Sequence, residues 1–129
     1  MSPTALANKL HIKPGHRVLV LNAPDDYLDL LGPLPDGATL VKSGGKDLDF
    51  VQVFVNDIAE LERLAPRAIQ AVKSDGLLWF CYPKKSSGAA TDLSRDVGWD
   101  SVTGAGLEGV AQISIDDTWT GFRFRPVKR

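Results

Sequence analysis

A single cysteine, Cys81, stands among 129 residues. That excludes an internal disulfide, a cysteine-cluster zinc site and an iron–sulfur centre. Histidines are almost as scarce. His11 and His16 flank the Lys13-Pro14-Gly15 turn, and no second pair of ligands stands at metal spacing, so both read as surface residues and no metal is expected. No apolar run approaches the ~20 residues a membrane span requires. Met1–Leu10 holds no apolar stretch long enough for a signal peptide. These absences predict a cytoplasmic protein without a membrane partner. Charge of one sign is missing too: fifteen basic side chains meet sixteen acidic ones, for a net charge of -1. No nucleic-acid partner is therefore expected. The chain also lacks a GxGxxG, a P-loop and a Gly-x-Ser-x-Gly elbow.

What remains is ordinary globular material, 43% hydrophobic and 24% charged. Residues 1–129 fit one domain, long enough to bury roughly two thirds of the surface its unfolded form exposes. Three segments are almost wholly apolar: Arg17–Asn22, Phe50–Val55 and Leu77–Tyr82. Runs of that length predict strands covered on both faces, the kind found in parallel sheets. A shorter strand is expected at Thr39–Val41.

Between them lie helical patterns. Thr4–Leu10 makes a short helix, with Pro3 and Thr4 suited to its start. Asp25 and Asp26 open another, whose buried side would be Tyr27, Leu28, Leu30 and Leu31. After the turn at Ser43–Lys46 and the second long strand, Asn56 and Asp57 cap a helix to about Lys73, with Ile58, Leu61, Leu64, Ala65, Ala68, Ile69 and Val72 on one face. Pro66 is expected to kink or split it, and Ser74-Asp75-Gly76 to end it. Thr91 is a suitable N-cap for a helix to about Val102. Finally, Val110–Ile115 and Trp119–Arg125 alternate about an Asp116-Asp117-Thr118 turn, as an antiparallel hairpin does. The order predicts an α/β, three-layer Rossmann-like domain with a mostly parallel sheet and a C-terminal antiparallel hairpin.

Two resemblances follow. From Leu48-Asp-Phe-Val through Asp75-Gly-Leu-Leu-Trp to the hairpin, the order of elements resembles the C-terminal half of a Rossmann-like methyltransferase. The first half departs from that scaffold, because the turn after the first strand is Leu21-Asn-Ala-Pro-Asp-Asp26 and holds no glycine. Across nearly the whole chain, Val20-Leu-Asn-Ala-Pro24, Leu78–Ser87, Thr91–Asp96 and Trp119–Pro126 resemble an uncharacterised family of small bacterial proteins. That resemblance implies a compact Rossmann-like domain and brings no reaction, substrate or catalytic residue.

Candidate residues gather where strands end. The loop Tyr82–Gly88 leaves the carboxyl end of a parallel strand, where ligands of open α/β sheets bind. Lys84, Lys85, Ser86, Ser87 and Arg95 are the residue types that hold a phosphate or carboxylate, against the plainer reading of a solvated loop. Asp92 opposes an anion there. Asn22 and Asn56 end two adjacent strands and can face one crevice, although Asn56-Asp57 also reads as a helix cap. Cys81, inside a strand, is expected to be a buried, inert thiol. Trp79, Trp99, Trp119, Phe122 and Phe124 read as core. Arg123 and Arg125, together with Lys128 and Arg129, read as the charge of an edge strand that avoids aggregation.

The expectation from sequence is thus a non-catalytic domain, without cofactor, that binds a small anionic ligand or a protein partner at its strand ends through Asn22, Asn56, Lys84, Lys85, Ser86, Ser87 and Arg95. A divergent methyltransferase-like enzyme is one alternative. A module that self-associates through its terminal hairpin is another, though nothing in the sequence specifically indicates a homodimer.

Overall fold

The computed structural model describes residues 5–41, 46–84, 88, 91–94 and 96–127. The expected caps Pro3 and Thr4, most of the Ser43–Lys46 turn, Lys85, Ser86, Ser87, Arg95, Lys128 and Arg129 lie outside the described residues. In chain order the elements are α1 (Ala5–Lys9), β1 (Arg17–Leu21), α2 (Tyr27–Leu31), β2 (Thr39–Val41), β3 (Leu48–Phe54), α3 (Ile58–Ala71), β4 (Val72–Pro83), α4 (Asp100–Thr103), β5 (Leu107–Ser114) and β6 (Trp119–Pro126). The six strands form one sheet in the order β2-β1-β3-β4-β6-β5. Strands β1 to β4 pair in parallel, and β6 runs antiparallel to both β4 and β5. This is an α/β fold with a mostly parallel sheet.

These largely apolar strands are buried on both sides, and their parity sorts the core. Leu19, Leu21, Val51, Val53, Leu78 and Phe80 join Leu61, Ala65 and Ala68 of α3 and Val102 of α4 in one cluster. Val18, Phe50, Phe54, Trp79 and Cys81 join Leu6 and Leu10 of α1 and Tyr27 and Leu31 of α2 in a second. Each fully buried large apolar side chain is worth about 1.5–3 kcal/mol over leaving it in water. Those two clusters hold the helices against the sheet. The tryptophans serve them as expected: Trp79 and Trp99 are buried, and Trp119 meets Phe54 edge-on at 5.0 Å.

Several elements differ from the sequence expectation. Helix α3 is not split at Pro66, because Pro66 faces solvent and water can serve the carbonyl deprived of its donor. Ser74-Asp75-Gly76 ends nothing; α3 passes directly into β4, and these residues bulge out between the pairings Leu48↔Val72 and Phe50↔Leu77. Glycine is required at the bulge, since a Cβ on Gly76 would sit 2.9 Å from the Leu48 carbonyl oxygen. In α2 only Tyr27 and Leu31 are buried. A five-residue helix presents just that i, i+4 pair to the sheet, so Leu28 and Leu30 are each 46% exposed.

The helix expected from Thr91 to Val102 shrinks to α4. Thr91 Oγ1 accepts instead from the Leu93 N–H in a local turn. The Trp99 indole donates back to the Ser94 carbonyl at 2.7 Å, and Gly98 sits at φ 104, where no helix continues. Finally, β6 is interior rather than an edge. Arg123 and Arg125 therefore do not protect an edge, and the edge position belongs to β5.

Candidate functional site

The chain leaves β1 for β2 on one side, then returns to β3 on the other. The gap between the carboxyl ends of β1 and β3 is therefore the sheet's switch point, where open α/β sheets take their ligands. Asn22 follows β1 and Asn56 nearly follows β3, so the structure brings these two predicted residues together.

They meet on a third that the sequence did not single out. Glu60 Oε1 accepts from Asn22 Nδ2 at 2.8 Å, from the Asn56 backbone N–H at 2.8 Å and from Asn56 Nδ2 at 3.0 Å. Asn22 Nδ2 also donates to the Phe54 carbonyl at 2.8 Å. Both of its N–H groups are then spent, and only an acceptor oxygen remains to it. Asn22 holds this position at φ 60, a left-handed conformation that asparagine tolerates better than most residues. The available signal was the three-residue spacing of Asp57 and Glu60, the spacing of a helix cap and its reciprocal partner.

The start of α3 is closed in the same manner. Asp57 Oδ1 accepts from the Glu60 N–H at 2.9 Å, the capping role foreseen for it. Asp92 Oδ1 accepts from the Ile58 N–H at 2.8 Å, reaching back 34 residues. The N-terminus of α3 would otherwise attract an anion. Here the chain's own carboxylates occupy it, so these residues do not fit an anionic group at that point.

Lys84 stands at the other end of the same edge. Its backbone N–H donates to the Thr118 carbonyl at 2.7 Å and its ammonium to Ser114 Oγ at 2.6 Å. It therefore lies against the β5–β6 hairpin, with β3 between its own strand and the Asn22 side.

Beneath this rim lies a buried polar chain. Tyr27 donates its hydroxyl to Gln52 Oε1 at 2.7 Å, and Gln52 Nε2 donates to Cys81 Sγ at 3.2 Å. Gln52 is fully buried in mid-β3, a polar residue that the apolar reading of Phe50–Val55 passed over. Burial pushes the Cys81 thiol up to about 12 and raises the Tyr27 hydroxyl above its usual range. Both groups stay protonated at neutral pH. Cys81 is thus free and buried, as expected. Among the described residues no group of three or more His, Cys, Asp or Glu is placed to hold a metal ion. No helix among them is long and apolar enough to cross a membrane.

No protein-family model matches the chain, and no curated protein matches it. The resemblance to an uncharacterised bacterial family thus gains no support. The fold is shared with solved structures of S-adenosylmethionine (SAM)-dependent methyltransferases. A ribosomal protein L11 methylase from Lactobacillus delbrueckii subsp. bulgaricus aligns with a TM-score of 0.59 at 12% identity, over 94% of this chain and 74% of that one. A SAM-dependent methyltransferase from Aquifex aeolicus aligns with 0.59 at 14% identity, over 93% and 87%. A TehB-like SAM-dependent methyltransferase from Corynebacterium glutamicum gives 0.59 at 13%, over 95% and 85%. At such identities the likeness extends to the fold and no further.

Proposed function

We propose that the chain is a methyltransferase-like, three-layer Rossmann-like domain that acts as a binding module rather than a transferase. Its ligand sits at the carboxyl ends of the strands. The observation that carries this reading is the Glu60 knot. At the switch point three N–H groups of Asn22 and Asn56 converge on one carboxylate oxygen, and Asp57 and Asp92 fill the start of α3. A pyrophosphate or carboxylate would need those same donors. The rim at Asn22 and Asn56 then supplies rigid acceptor groups for a neutral, hydrogen-bond-donating part of the ligand. An anionic part is taken further along the edge, by Lys84 with Lys85, Ser86, Ser87 and Arg95.

The second reading is a divergent methyltransferase, favoured by the shared fold alone. A thermal-shift series with SAM, nucleotides, acyl-CoA and sugar phosphates separates the two. A ligand at ~100 times its dissociation constant adds about 2.7 kcal/mol, a rise of roughly several degrees for a domain of this size. The binding-module reading expects such a rise from an anionic ligand, a smaller rise in the Lys84→Ala/Lys85→Ala variant, and none from SAM. A rise with SAM, accompanied by methyl transfer to any acceptor, would establish the enzyme instead.

A further inference from the structure

The opposite, amino end of the parallel strands opens a groove of about 290 Å³, with Lys13, His16, Asp49, Lys73, Asp75 and Arg123 among the residues on its walls. A neighbouring groove of about 340 Å³ shares Asp75 and Arg123 and adds Arg125. The charges here do not cancel. Asp49 has both oxygens committed, one to the Arg17 backbone N–H at 2.8 Å and the other to the Lys73 ammonium at 2.7 Å. The Lys73 ammonium, seconded by the Arg17 N–H, holds that carboxyl below its ordinary range. Asp49 and Lys73 thus neutralise each other. Asp75 is largely in solvent and approaches Lys73 only to 3.9 Å.

Arg123 is left over. Its guanidinium lies 6.0 Å from the ring centroid of the buried Trp79. Its Nε is buried without a hydrogen-bond partner. Among the described residues no carboxylate pairs with it. A guanidinium is always charged, and a buried donor without an acceptor is costly. Two more donors share the groove. His16 Nδ1 accepts from the Lys13 N–H at 3.2 Å, so the proton of the neutral ring sits on Nε2, free to donate. The Lys13 side chain is exposed and makes no ion pair among the described residues.

We propose that this groove is an oxyanion site for the phosphate group of a small phosphomonoester. Arg123 is its anchor, and Lys13 and His16 are the further donors. A guanidinium, an ammonium and an imidazole N–H, carried by two separate parts of the chain, suit a tetrahedral dianion with several oxygens. A planar carboxylate would use only the guanidinium fork. The site stands apart from the strand-end edge and does not depend on what that edge binds.

The test is calorimetric titration of inorganic phosphate into the full chain carrying Lys84→Ala and Lys85→Ala, which removes any contribution from the opposite edge. Phosphate is expected to bind at one site, about tenfold or more weakly once Arg123→Met is added, and several-fold more weakly with Lys13→Ala or His16→Ala. Circular dichroism checks that each variant is folded. Should Arg123→Met fail to fold, the two surface variants decide. The proposal is overturned if phosphate does not bind, if acetate binds as tightly, or if the folded variants bind phosphate as well as their parent.

Discussion

Asn22 reaches Glu60, 38 residues further along the chain, through a 2.8 Å hydrogen bond that ties the end of β1 to the first turn of α3. The same carboxylate oxygen serves Asn56, so one side chain fixes both flanks of the switch point. Glu60→Ala leaves three N–H groups without this acceptor at a rim where Asn22 and Asn56 are exposed and water can replace part of it. It should cost about 1 kcal/mol, a fall in melting temperature of roughly 3–4 °C. Glu60→Gln keeps an oxygen acceptor without the charge and should lose about half as much. Thermal melts of the two variants check this, and an alanine variant melting within about 1 °C of the parent would refute the knot's role.

The two carboxylates at the start of α3 protect different amides. Asp92→Ala should expose the Ile58 amide to hydrogen exchange, and Asp57→Ala the Glu60 amide. Each should also cost about 1 kcal/mol by chemical denaturation. Equal loss of protection at both amides in either variant would mean that the caps act as one unit, against the separate roles assigned here.

Alkaline pH should unfold the protein through its core. Unfolded, the Cys81 thiol and Tyr27 hydroxyl lose protons near pH 8.5 and 10. Folded, burial holds the thiol to about 12 and the hydroxyl above its usual range. Their contribution is therefore intact below about pH 8.5. Above it the unfolded chain binds fewer protons than the folded one, so stability falls as pH rises, by up to about 1.4 kcal/mol per pH unit for each group. Cys81→Ala should flatten the decline between about pH 9 and 10. An unchanged slope there would remove the thiol from this account. A disulfide-exchange reagent should likewise find no reactive thiol at neutral pH until denaturant is added.

His11 offers a stabilising substitution. It sits at φ 66 just beyond α1, with the Ile12 N–H bonded to the Ala7 carbonyl and the His11 N–H to the Asn8 carbonyl. That bond pair is the helix ending in which glycine is preferred at the left-handed position. His11→Gly should raise stability by about 0.5–1 kcal/mol, visible as a melting temperature roughly 2–3 °C higher. A decrease would show that the histidine ring makes a contact worth more than the relief of strain.

The sheet was legible because its strands are buried on both faces. Arg17–Asn22, Phe50–Val55 and Leu77–Tyr82 carry almost wholly apolar runs, and each coincides with the body of a strand. The stretch from Thr91 to Val102 misled because its helix-favouring start is overridden by distant partners. Asp92 is drawn to Ile58, and the Trp99 indole to the Ser94 carbonyl. Pro66 misled for the opposite reason: its rule concerns a lost donor, and at an exposed position water bears that loss. Of the candidate site, the meeting of Asn22 and Asn56 was legible because both follow adjacent parallel strands. Glu60 was not, since nothing local shows that a helix-surface glutamate will collect partners from β1. The unpaired state of Arg123 is a property of packing, and the sequence showed only its charge.

The place of β6 between β4 and β5 shapes how the molecule is made. On the ribosome, β2 and β3 emerge with β1 already available and β4 emerges with β3, so each can pair as it appears. Strand β5 cannot, because among the strands its partner is β6, which is synthesised after it. Until Trp119–Pro126 clears the exit tunnel, both β5 and the outer side of β4 expose unpaired backbone edges. The nascent protein is most vulnerable to aggregation in that interval. Closure of the sheet is then a late, single event in which one strand is zipped on both sides at once.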